Sequence, residues 1–165
     1  MGSLIACLAL LSVATMPTMA SDPVISKDGN HFSQRFSRDK ETLRVEVRRK
    51  AFRASAHHLK LLVGGVEKVD GHSPLGTDAG PPEALKTEVS EVRVTWDGVN
   101  VDVKRDLFQD CFNANLQGMK VVPSQDFGSV LVVLTGGDGA GAYEAYVVVS
   151  RDGFSTRFLA DEGGL

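Results

Sequence analysis

Between Val92 and Val103 the chain alternates without a break around a single turn signal. Val92, Val94 and Trp96 are separated by Arg93 and Thr95; Asp97-Gly98 follows; Val99, Val101 and Val103 are then separated by Asn100 and Asp102. Alternation with period two puts each apolar set on one face of a strand. Asp-Gly suits a two-residue hairpin turn, because both central residues of a type I′ turn need positive φ. Such a turn pairs 96 with 99, 94 with 101 and 92 with 103, apolar against apolar each time. Turn chemistry and side-chain pattern therefore select the same register. The chain is expected to build an antiparallel sheet around this hairpin, with its five valines and the sole tryptophan on the inner face.

Other segments extend the pattern. Leu43, Val45 and Val47 alternate with Arg44, Glu46 and Arg48, the signature of a half-buried strand. Ser129 to Thr135 (SVLVVLT) is nearly continuous in apolar residues, as a central strand should be. Tyr143 to Ser150 and Phe154 to Leu159 follow, joined by Arg151-Asp152-Gly153, a second Asp-Gly turn. Met119 to Val122 reads as a short strand stopped by Pro123. Two stretches are less regular. Phe52, Ala56, Leu59 and Val63 suit a helix face, while Leu59, Leu61 and Val63 suit a strand; a strand is expected from His58, turning at Gly64-Gly65. Arg105 to Asn113 has Leu107, Phe108, Cys111 and Phe112 at helical spacing and predicts a short helix. The expected fold is mainly β: an antiparallel meander, sandwich or partly open barrel with one short helix. If Ala51 to Val63 is helical, the alternative is α+β.

The chain has 165 residues, 42% hydrophobic and 24% charged, which fits one globular domain with a sizeable core. Its organisation is expected to be a signal peptide over residues 1–20, a polar N-terminal arm over 21–40, and a single β-rich domain over 41–165. Leu4 to Val13 (LIACLALLSV) has the length of a signal-peptide apolar region and is too short to span a bilayer. Thr18-Met19-Ala20 then offers a small residue at each position a signal peptidase reads, although Met1-Gly2-Ser3 lacks the usual positive charge. Cleavage after Ala20 would remove Cys7 and leave Cys111 as a lone cysteine, so no internal disulfide is expected. Cys111 reads as a small buried apolar residue, because no histidine lies near it to make it a nucleophile.

Candidate chemistry is sparse. Gly136-Gly137-Asp138-Gly139-Ala140-Gly141 resembles a phosphate-cradling loop, but a strand pattern follows where a helix N-terminus is needed, and no Lys or Arg accompanies it. A glycine-rich hairpin turn is expected, with Gly137, Asp138 and Gly139 as a possible ligand loop. His57-His58 point to opposite faces of a strand, and no Cys/His spacing fits a metal. Asp70 to Lys86 contains three prolines and three glycines and reads as a long loop. Asp102, Asp106 and Asp110 are expected on the solvated surface. Residues 35–53 hold eight basic residues against three acidic ones within a chain of net charge −3. The run is either a basic patch for an anionic partner or a strand neutralised by acidic neighbours, and the second is expected. Few aromatics interleave it, so nucleic acid is not expected.

No residue set points to a catalytic group, a cofactor or a metal. The chain is therefore expected to be a monomeric, secreted or periplasmic, non-enzymatic module that binds a protein, a glycan or an envelope component, with no membrane span after signal cleavage. The alternative is a small exported hydrolase with a site around the 70–86 loop.

Overall fold

The computed structural model describes residues 18–78 and 80–160. Among the described residues, twelve strands form two main antiparallel sheets and one separate hairpin. The first sheet contains β1 (Met19–Ala20), β2 (Val24–Ile25), β3 (His31–Arg38), β4 (Glu41–Ala51), β7 (Thr87–Trp96) and β8 (Val99–Val101), in the order β1-β3-β4-β7-β8 with β2 also on β3. The second contains β9 (Lys120–Pro123), β10 (Ser129–Gly136), β11 (Tyr143–Ser150) and β12 (Ser155–Leu159), in the order β12-β11-β10-β9. β5 (Leu59–Leu62) and β6 (Gly65–Val69) make the hairpin. The sheets do not close into a barrel.

One core joins the two sheets. The first contributes Phe32, Phe36, Leu43, Val45, Val47, Val92, Val94 and Trp96; the second contributes Val130, Val132, Leu134, Ala145, Val147 and Val149. These are the inward positions of alternating strands, so burial on one face fixes the register of each. Trp96 lies at the centre, 2% exposed, and its indole N–H donates to the Phe127 carbonyl at 3.2 Å. A buried aromatic of this size is worth roughly 3–5 kcal/mol against alanine.

The central hairpin forms in the expected register, Trp96 with Val99 and Val94 with Val101, with positive φ at Asp97 and Gly98. Its far end differs. The 92–103 pair does not form, because β8 stops at Val101, and Val103 reaches the core from the loop beyond. Val99 is 68% exposed, because β8 is an edge strand with a neighbour on one side only.

Two further expectations need correction. Residues 31–38 of the expected polar arm form β3, paired residue for residue with β4 from His31–Arg48 to Arg38–Glu41. Its inward side buries Phe32 and Phe36, but polar Gln34 falls between them and hides the alternation. The expected helix over 105–113 is only a 3-10 turn at Arg105–Leu107. Cys111 enters the main core while its neighbour Phe112 enters a second cluster with Val66, Val69 and Leu85. Extended chain sends neighbours to opposite sides, whereas a single helical stripe would have put both on one. Across Ala51 to Val63 the strand reading holds from Leu59, after a 3-10 turn at Ala54–Ala56.

The expected signal peptide lies outside the described residues up to position 17. Met19 and Ala20 pair with Ser37 and Phe36, so cleavage after Ala20 would remove β1 and leave Ser21, whose N–H donates to the Arg35 carbonyl, at the sheet edge.

Candidate functional site

The two loops singled out in the sequence meet. Gly136–Gly141 joins β10 to β11 as a glycine-rich turn, with φ of +71° at Gly137 and +54° at Gly139. A Cβ on Gly137 would stand 2.2 Å from the Gly141 carbonyl oxygen and 2.8 Å from the Gly76 Cα. The 70–86 loop thus packs against the glycine turn at backbone distance, which explains the glycine there without a ligand. Between them runs an open groove of about 870 Å³, lined by Leu75, Gly76 and Thr77 on one side and Gly137, Ala142 and Tyr143 on the other. Glu144 is the one carboxylate among its described lining residues. Asp138 faces an adjoining cleft with Arg49 and Lys86.

Asn113 fastens this region, and sequence reasoning missed it. Its Oδ1 accepts from the Lys86 and Thr87 amides at 2.8 and 3.3 Å, and its Nδ2 donates to the Gly76 and Ala84 carbonyls at 3.0 and 2.9 Å. Its backbone is left-handed, φ +50°, a conformation Asn tolerates better than most residues. That preference was the only local signal available.

Asp70 and His72 of the 70–86 loop do not reach the groove, whereas the Asp78 carboxylate stands 3.0 Å from where a Cβ on the groove-lining Gly141 would lie. Asp70 accepts from the His58 amide at 2.8 Å and pairs with His57 Nδ1 at 2.7 Å. The His58 hydrogen bond, then the His57 contact, hold its carboxyl below the usual carboxylate range. His72 instead meets the Gln109 amide at 2.9 Å. The other His57 nitrogen lies 3.3 Å from Glu88, which also pairs with Lys50 at 3.2 Å, and Phe52 stacks on the imidazole at 4.9 Å. His57 faces this cluster while His58 is exposed, and both precede β5. The carboxylates flank the ring at its two nitrogens instead of surrounding a common point. Among the described residues no group of three or more His, Cys, Asp or Glu is placed to hold a metal ion.

Asp110 departs from the surface reading. It is buried and makes a two-pronged ion pair with Arg157, which also donates to the Leu107 carbonyl at 3.2 Å. Asp102 and Asp106 are exposed. Cys111 is fully buried, and burial first, then the Asp110 charge, pushes its thiol up to about 12. A thiol held neutral in this way is a poor nucleophile at ordinary pH.

The outer faces of the two sheets are opposite in chemistry. On the first sheet the basic run is met by acids: Arg44 with Glu46 at 3.0 Å, Arg48 with Glu91 at 3.2 Å, Arg38 with Glu41 at 2.8 Å. β7 brings Glu88 and Glu91 alongside β4, so the excess positive charge is answered by the neighbouring strand. On the second sheet, one outward row reads Lys120, Val133, Tyr146, Phe158 and the next Val122, Leu131, Val148, Thr156. Val122 and Phe158 are each 53% exposed. Tyr146 and Phe158 stack face to face at 5.2 Å, and the Tyr146 hydroxyl donates to Glu144 at 2.5 Å.

Fold and surface define an antiparallel two-sheet sandwich with one ion-paired outer face and one apolar outer face. Compared with protein-family models, with curated proteins and with solved structures, the chain matches none. Among the described residues no helix is long and apolar enough to cross a membrane.

Proposed function

We propose that this chain is an exported, non-enzymatic binding module that holds a protein partner on the outer face of its β9–β12 sheet. The observation that carries the reading is the contrast between the two outer faces. An antiparallel sandwich ordinarily keeps apolar residues inside and polar ones outside. The first sheet follows that rule with a lattice of ion pairs, whereas the second presents Val122, Leu131, Val148 and Phe158 outward. A contiguous apolar face of this kind marks an interaction surface. The aliphatic carpet favours protein over glycan, because the aromatic rings are stacked on each other instead of laid flat beneath a sugar. Export rests on the apolar Leu4–Val13 segment and the small residues before Ser21. The hydrolase reading has less support, since Asp70 and His72 are held by different partners and Glu144 is the one carboxylate among the groove's described lining residues.

The test is the double variant Val122→Ser, Phe158→Ser, compared with the native chain by sedimentation of extracts of its own compartment. Both side chains are half exposed, so Val122→Ser should cost about 0.5 kcal/mol and Phe158→Ser, which also removes the stack on Tyr146, about 1–2 kcal/mol, which leaves the fold intact. The native chain should sediment in a complex and the variant as a free monomer. A native chain that sediments as a monomer, or a variant that keeps its complex, contradicts the reading.

A further inference from the structure

The β5–β6 hairpin ends in an apolar tip that the sheet-face reading does not use. Leu61, Leu62 and Val63 run consecutively into the turn and are 53%, 62% and 100% exposed. Leu61 and Leu62 are successive strand residues, so they leave opposite faces of the hairpin, and Val63 stands at its apex. The turn is Val63-Gly64, with φ of +50° and +82°. Positive φ is ordinary for Gly64 but rare for a β-branched residue, whose crowded Cβ disfavours it. Glycine or asparagine at position 63 would satisfy the same turn without strain. At 100% exposure the Val63 side chain buries nothing in the fold to offset this cost.

We propose that this tip inserts into a lipid surface. The shape selects the occupant. A flat protein patch could cover one face of the hairpin and would leave Leu61 or Leu62 in water. The acyl region of a bilayer surrounds an inserted element and takes up all three side chains together. Lys60 and Lys68 lie directly opposite each other behind the tip, at the level where head groups would meet them. Lys60 pairs with Glu67 at 2.7 Å, so charge is a secondary contribution and burial of the apolar tip is the main one. The hairpin base is anchored, with Val66 and Val69 buried against Leu85 and Phe112 and His57 clasped between Asp70 and Glu88. This contact is independent of the sheet face and requires no membrane-spanning segment.

The experiment is co-sedimentation with phosphatidylethanolamine–phosphatidylglycerol vesicles, using protein as its own cell processes it, so that every variant carries the same N-terminus. The native chain should sediment with vesicles and continue to do so at raised salt. Leu61→Ser with Leu62→Ser should lower the partition coefficient at least tenfold, as expected for two leucines withdrawn from an apolar phase. Val63→Gly separates insertion from folding: it removes the apex side chain and relieves the positive φ, so binding should weaken while the melting temperature holds or rises. A native chain that ignores vesicles overturns the proposal and leaves the tip to a protein cavity. Tip variants that bind like the native chain also overturn it, and so does binding abolished by salt, which would make the contact electrostatic instead of apolar.

Discussion

At the scale of single residues, the molecule depends on side chains whose partners are far away in sequence. Asn113 is the clearest. Four backbone groups from three segments are satisfied by one amide, which lets the 76–87 chain lie against the sandwich without unpaired polar groups. Asn113→Ala would orphan two N–H and two C=O groups at once, and the expected loss is on the order of 3–5 kcal/mol, given about 1 kcal/mol or more for each. Chemical denaturation of the variant checks this, and a loss under about 1 kcal/mol would show that water replaces the amide without penalty. Nothing adjacent to Asn113 announces this role, because its partners lie 26 to 37 residues away. Asp110 is similar: its half-buried partner Arg157 is 47 residues distant, so a carboxylate with no local partner was reasonably read as surface. Gly137 was legible as a turn residue, but its contact with Gly76 was not.

At the scale of elements, legibility followed the strength of alternation. β7 and β8 announced both their strands and their register, because six apolar residues and an Asp-Gly turn agreed. β3 did not, since polar Gln34 occupies an inward position and breaks the pattern that Phe32 and Phe36 would have made. The 105–113 segment had helical spacing yet serves two cores at once, and tertiary demand overrode the period. The β5–β6 hairpin carries its own prediction. Asp70 binds the His58 amide and the His57 ring, and its carboxyl is held below its usual range. A carboxyl whose folded pKa is depressed contributes stability above its unfolded value and loses it as pH falls through the folded one. Amide-exchange protection at His58 should therefore be full near neutrality and fall on acidification below the ordinary carboxylate range. In Asp70→Asn the acid-dependent step should be absent. Protection that persists unchanged at low pH, or that falls equally in the variant, would remove Asp70 from the anchor.

At the scale of the whole molecule, the mainly β sandwich was legible and the chemical contrast between its faces was not. Sequence alone shows that β4 is basic, but only pairing with β7 shows that its charge is answered by Glu88 and Glu91. The nearly continuous apolar run of β10 announced a buried strand, as it is toward the core; its outward Leu131 joins Val122 and Val148 in a row that only the register of three strands reveals. The proposed protein interface is this row together with Phe158. The most direct measurement is site-specific photo-crosslinking in the cell that makes the protein, with the reactive group at Phe158 and, as control, at Arg44 on the ion-paired face. Position 158 should give one discrete adduct of higher mass, and position 44 none of that mass. No adduct from position 158, or the same adducts from both faces, would contradict the proposed interface.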